Sequence, residues 1–140
     1  MLFPKKVKHR KWQTQRKSLK RLSRPDTRGI TVVFGSIALK ALSSARVTSN
    51  QIEAARKVLT RATAKTGKLW IRIFPDRPVT QKPAEVGMGS GKGEPKHYVF
   101  EVRPGRVLFE YDGVPEAIAR EHLRKAGMKL PVKTAIVLSH

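Results

Sequence analysis

The chain has 140 residues, enough for one domain with its own core, and 39% of them are hydrophobic. Lys and Arg number 30 against 10 acidic residues, a formal charge of +20 that repels itself unless a polyanion lies nearby. The absence of cysteine excludes a disulfide frame and a thiolate zinc site; no apolar run reaches the ~18 residues of a membrane span, and residues 1–28 lack the apolar core of a secretory signal.

Residues 1–29 read as a basic tail. Lys5, Lys6, Lys8, Arg10, Lys11, Arg16, Lys17, Lys20, Arg21, Arg24 and Arg28 face a single acid, Asp26. So polar a stretch cannot bury enough surface to fold alone, and it is expected to be disordered when free. Trp12 and Phe3 interrupt it. An aromatic within a basic run stacks on an unpaired base or clamps onto the body, and the residues do not choose between the two.

From residue 30 to residue 140 the pattern is that of one folded domain. Ile30 to Leu42 is rich in β-branched residues and broken at Gly35-Ser36, which predicts two short strands or one bent strand. Thr48 to Lys65 carries the plainest helical period. Thr48 with Gln51 fits a capping box, and Ile52, Ala55, Val58, Leu59 and Ala62 form an apolar stripe. Gly67 is expected to end the helix as a left-handed cap. Arg56, Lys57, Arg61 and Lys65 fall largely off the stripe. Solvation alone accounts for basic residues at the helix end, but the whole set fits a phosphate-facing surface better.

Leu69 to Phe74 alternates as a half-buried strand, with Trp70 and Arg72 on the face opposite Leu69, Ile71 and Ile73. A long Pro/Gly loop follows, residues 74–97, with stiff prolines at 75, 78, 83 and 95 and glycines at 87, 89, 91 and 93. Loops of this length inside a compact domain are functional or disordered, so an anchored arm competes here with a plain surface loop. Tyr98 to Val102 and Arg106 to Tyr111 alternate again. The intervening Arg103-Pro104-Gly105-Arg106 has type II turn chemistry, which predicts an antiparallel hairpin framing the arm with Leu69–Phe74. Glu101 and Glu110 are expected to neutralise neighbours across that hairpin. Asp112-Gly113 is a further turn, Pro115 suits the first turn of a second helix reaching Gly127 or Pro131, and Val132 to Leu138 is a last strand. The fold class expected is α+β: a two-layer sandwich with a mostly antiparallel sheet and two helices.

Little in the chain supports catalysis. The run from Gly87 to Gly93 resembles a nucleotide-binding P-loop, but Val86 stands where that motif has its first glycine and Gly93 where it has Ser or Thr. Pro95 and a strand follow instead of a helix. His9, His97, His122 and His140 are scattered without metal-ligand spacing, so neither metal nor cofactor is expected. A hydrolase using His97 with Asp76 or Glu94 has little to build a site from. Pro75-Asp-Arg-Pro78 matches a PxxP ligand, a common pattern. A membrane-surface role would need apolar anchors beyond Leu2, Phe3 and Trp12. What remains is nucleic-acid binding, in which the bare amides of the glycine run, with Lys92, approach a phosphate ridge closely. A non-specific polyanion-binding chaperone fits the same composition.

Six motifs in one order carry a family resemblance: Gln51-Ile-Glu-Ala-Ala-Arg56, Trp70-Ile-Arg-Ile-Phe-Pro75, Lys82-Pro83, Met88-Gly-Ser-Gly-Lys-Gly93, Asp112-Gly-Val-Pro115 and Lys129-Leu-Pro-Val-Lys-Thr134. Across Val32 to Val137 the chain closely resembles bacterial large-ribosomal-subunit protein sixteen. The resemblance implies an α+β sandwich below the central protuberance that binds 23S rRNA near 5S rRNA. It implies a loop (Lys82, Met88, Gly89, Ser90, Gly91, Lys92, Gly93) directed toward the peptidyl-transferase centre and the A-site and P-site tRNAs. It further implies a tail threaded into rRNA, one copy per ribosome beside other large-subunit proteins, no homo-oligomer, no membrane, and no catalytic residue. The location implied is the cytoplasmic ribosome, with an organellar ribosome not excluded by the residues. Two departures stand out. Gly87 occupies a position where many members carry arginine, hydroxylated in some. The tail from Gln13 to Arg28 lacks the usual glycines and is longer, so its path on rRNA cannot be copied from other members.

Overall fold

The computed structural model describes residues 2–5, 24–63, 67–81 and 94–139. Its elements run in the order β1 (Ile37–Ala41), β2 (Ala45–Thr48), α1 (Ser49–Thr63), β3 (Lys68–Ile71), β4 (Arg77–Gln81), β5 (Glu94–Val102), β6 (Val107–Asp112), α2 (Glu116–Gly127) and β7 (Thr134–Leu138). Every strand pairing among them is antiparallel. The fold is α+β, with the strands divided between two sheets. One is four-stranded, in the order β3-β6-β1-β7; the other is three-stranded, in the order β2-β5-β4.

The helices pack on each other and on the four-stranded sheet, α1 against β3 and α2 against β1 and β7. Ile37, Leu39, Phe109 and Tyr111 face them and join Ile52, Ala55, Leu59, Ala119, Leu123 and Ala126 in one core. Val47 and Val102 from the second sheet enter that same core, so the two sheets share one interior. Leu2 packs against the core edge as well.

Helix α1 begins as its sequence demands. The Thr48 N–H donates to Gln51 Oε1 at 2.9 Å and the Gln51 N–H to Thr48 Oγ1 at 3.3 Å, the reciprocal bonds of a capping box. Its far end departs from expectation. Among the described residues the left-handed glycines are Gly29, Gly105 and Gly113, and Gly67 is not one of them. The Gly67 N–H bonds the Thr63 carbonyl at 2.8 Å, and a Cβ on Gly67 would lie 2.7 Å from that oxygen. Glycine is required there for space.

The largest correction concerns the expected hairpin. The turn itself forms: Gly105 has φ 96° and the Arg106 N–H reaches the Arg103 carbonyl at 3.3 Å. Yet β5 and β6 do not pair. The turn passes the chain from one sheet to the other, leaving β5 between β2 and β4 and β6 between β3 and β1. The strand expected at Leu69–Phe74 accordingly pairs with β6 alone, in the register Trp70↔Glu110 and Ile71↔Phe109. The second flank of the arm is β4, which the prolines at 75 and 78 concealed. Pro78 is accommodated because β4 is an edge strand, where a missing N–H costs little. Of Ile30–Leu42, expected as two short strands or one bent strand, only the second half is a strand, Ile37–Ala41.

Candidate nucleic-acid interface

Residues 30–36 lack regular structure, and the amides of the last four are taken up outside any ladder. The N–H groups of Val33, Phe34 and Gly35 all donate to Glu110 Oε1, at 2.8, 2.9 and 3.2 Å. Glu110 is fully buried, and its second oxygen pairs with Arg72. Burial pushes the Glu110 carboxyl up; Arg72 and the three amides together outweigh it and hold the group below the ordinary carboxylate value. The clasp pins the segment leading into β1 across the sheet face opposite the helices.

A second clasp lies where the basic tail joins the body. Arg106 Nη1 donates to the Arg28 carbonyl at 3.2 Å and pairs with Asp26 Oδ2 at 3.4 Å, while its guanidinium lies 5.0 Å from the centre of the Phe100 ring. The Asp26 N–H is held by the Pro104 carbonyl at 2.8 Å. Glu101 forms a third junction. It pairs with the buried Arg77 of β4 and, at 3.7 Å, with Arg46 of β2, so one carboxylate on β5 ties both neighbouring strands. Burial, and then the nearby Arg46, lower the Arg77 pKa from its ordinary value. Glu101 and Glu110 do neutralise arginines, but within their own sheets and not across a hairpin.

The expected binding residues divide as follows. Arg24 and Arg28 are exposed at the mouth of the tail, and Lys5 is exposed near its start. Lys6, Lys8, Arg10, Lys11, Trp12, Arg16, Lys17, Lys20 and Arg21 lie outside the described residues, as does Lys65. On α1, Lys57 and Arg61 stand one turn apart and exposed. Arg56 is engaged by Glu53, Nε to Oε2 at 3.0 Å, and its pKa is raised by that carboxylate. Lys82, Met88, Gly89, Ser90, Gly91, Lys92 and Gly93 also lie outside the described residues. The ends of that run are fixed: Gln81 stands opposite Glu94 at the end of the β4–β5 ladder. The chain therefore leaves and re-enters the body at one place. His97 is exposed on β5, and His122 Nδ1 lies 3.0 Å from the Ile118 carbonyl. Among the described residues no three His, Asp or Glu side chains gather as metal ligands would, and no helix is long and apolar enough to cross a membrane.

Sequence reasoning expected Glu101 and Glu110 to be neutralised but missed their partners, the amides on Glu110 and the whole Arg106 clasp. The one visible signal of the clasps was a charged residue within an otherwise core-like strand, Glu110 in Val107-Leu-Phe-Glu-Tyr111.

The family described as Ribosomal protein L16p/L10e matches residues 4–137. The chain belongs to that family. It is a structural constituent of the large ribosomal subunit, an RNA-binding protein of translation. In the light of the L16p/L10e match, several of the motifs explain themselves as architecture. Gln51 caps α1 and Glu53 pairs with Arg56. Trp70 faces Glu110 across the β3–β6 ladder. Asp112 Oδ1 accepts the Gly113 N–H at 2.9 Å in the turn before α2.

Proposed function

We propose that this chain binds 23S rRNA near 5S rRNA and directs residues 82–93 toward the peptidyl-transferase region, where they contact A-site and P-site tRNA. The family match across residues 4–137 carries this reading. The role is structural and needs no cofactor: the protein sits as a single copy beside other large-subunit proteins and holds RNA in place. Two parts divide the work. The tail, with Lys5, Arg24 and Arg28, and the α1 face of Lys57 and Arg61 neutralise phosphates and set register without reading bases. The 82–93 run, poor in side chains and anchored at the Gln81–Glu94 end of its ladder, approaches crowded RNA closely.

Cosedimentation with large subunits after a high-salt wash tests the placement. Retention is expected; loss of the protein to the supernatant would favour a non-specific polyanion chaperone instead. The arm is tested by replacing Gly89 and Gly91 together with Val. Variant subunits should assemble with unchanged content of this protein yet use tRNA poorly. Normal translation by those subunits would remove the arm from the mechanism.

A further inference from the structure

One aromatic site on the body is explained neither by the core nor by phosphate neutralisation. Phe34 is 54% exposed although its segment is clamped by Glu110. Its ring lies 6.0 Å from that of Trp70, nearly parallel at 19°, and the Arg72 guanidinium lies 5.2 Å from its centre. Trp70 lies in edge strand β3 and Arg72 one residue past its end, so the two are spaced to project from the same side, and both lie against the Phe34 ring. Arg72 is itself fixed, by Glu110 and by the Thr31 carbonyl at 3.2 Å. Lys68, exposed and two residues before Trp70, extends the same face, with Asp112 opposite it in register. Val33, the preceding residue, is 62% exposed.

We propose that Phe34, backed by Trp70 and Arg72, is a stacking platform for one unpaired RNA base. Three observations favour this occupant. The backbone that carries the ring is pinned by five polar bonds at Glu110 and Arg72, so little freedom is lost when a flat ligand lands on the ring. Cations and aromatics interleave along one strand face, the arrangement in which charge follows a nucleic-acid backbone while rings hold its bases. The chain's excess of positive charge draws polyanions to that face and disfavours a basic protein partner. The platform adds base contact to the phosphate contacts proposed above and rests on the RNA-binding reading for its ligand class.

The test compares two probes on the full chain at moderately high salt: an oligomer of eight adenosines and an abasic oligomer with the same sugar–phosphate backbone. Both carry the same charge, so the ratio of their affinities reports stacking alone. In a Trp12→Ala, Phe3→Ala background, which removes the tail aromatics, adenosines should bind about ten-fold tighter than the abasic chain. Phe34→Ala and Phe34→Leu should each abolish that preference and leave abasic binding unchanged, while Phe34→Trp should keep it. Phe34→Leu retains an apolar packing group without a π face, so a folding defect in the alanine variant leaves the question answerable. An equal affinity for the two probes in the background protein would overturn the platform, as would a preference that survives Phe34→Leu. Retention on washed large subunits separates the outcomes: a background protein, with Phe34 intact, that stays on the subunit but shows no base preference sinks the platform alone, whereas a wild-type chain that does not stay sinks the ribosomal placement.

Discussion

Glu110 has lost all contact with water, and what replaces that water is four hydrogen-bonding groups from parts of the chain far away in sequence. A buried carboxylate so held is expensive to disturb. Glu110→Ala should destabilise the protein by about 3–5 kcal/mol, because it strips Arg72 of its carboxylate and orphans three amides at once. Glu110→Gln keeps an acceptor oxygen for the amides and should cost about half as much, read from urea unfolding midpoints. The sign of the pH effect follows from the lowered carboxyl pKa. The stabilisation is fully present above the ordinary carboxylate value of 4.5 and is lost as pH falls through the lower folded value. The stability gap between wild type and Glu110→Gln should therefore be wide at pH 7 and narrow at pH 3; a gap that widens on acidification would refute the assignment. Two nearby glycines are required for different reasons. At Gly105 the backbone is left-handed but a Cβ would meet nothing closer than 3.7 Å, so Gly105→Ala should cost about 1–2 kcal/mol from strain and Gly105→Asn less. At Gly35 a Cβ would lie 2.4 Å from the Tyr111 carbonyl oxygen, so Gly35→Ala should cost about 1–3 kcal/mol and Gly35→Asn should bring no relief.

Among elements, those governed by local chemistry were legible in the sequence. The capping box of α1, the Pro104-Gly105 turn and the apolar stripe of Ile52, Ala55 and Leu59 depend on residues a few positions apart, and they form as read. Pairing depends on the whole sheet, and there local reasoning failed. Alternation either side of a tight turn predicts a hairpin, but the Arg106 N–H closes that turn while β6 pairs with β1 and β3 and β5 with β2 and β4, the last two with weak signals of their own. Strand β2 has only four residues beside a strong helix cap, and β4 begins between two prolines. The candidate interface was legible as composition and not as geometry: the cations could be named, but not the clasp by which Arg106 holds the root of the tail. That clasp sets a test of the tail as a separate electrostatic element. Replacing the Lys and Arg residues of positions 5–21 with Gln keeps Asp26 and Arg28 in place. Each phosphate contact so lost should flatten the salt dependence of RNA affinity by roughly 0.7 log units per log of salt. An unchanged slope would show that the body, with Lys57 and Arg61, does the anchoring.

For the molecule as a whole, the charge excess acts in opposite directions on the free and bound states. The acids that the structure describes are largely consumed by ion pairs: Glu53 with Arg56, Glu101 with Arg46 and Arg77, Glu110 with Arg72, Asp26 with Arg106, Glu116 with Arg120 and Glu121 with Lys125. Most of the positive charge is then left to repel itself across a body only a few Debye lengths wide, since that length is about 10 Å at 0.1 M salt. Added salt should screen this repulsion and raise the Tm of the free protein, by about 3–6 °C between 20 and 500 mM sodium chloride if the relief is near 1 kcal/mol. Sodium chloride serves better than sulfate here, because sulfate strengthens apolar burial on its own account. The same salt series should loosen the RNA complex, as counterions compete for the phosphates that the protein neutralises. Paired melting curves of the free chain and of the chain with a fragment of large-subunit rRNA would show the two trends crossing. A free protein whose Tm falls with sodium chloride would mean that its ion pairs stabilise it more than its net charge strains it, and the clasps would then outweigh the repulsion that an RNA partner is proposed to relieve.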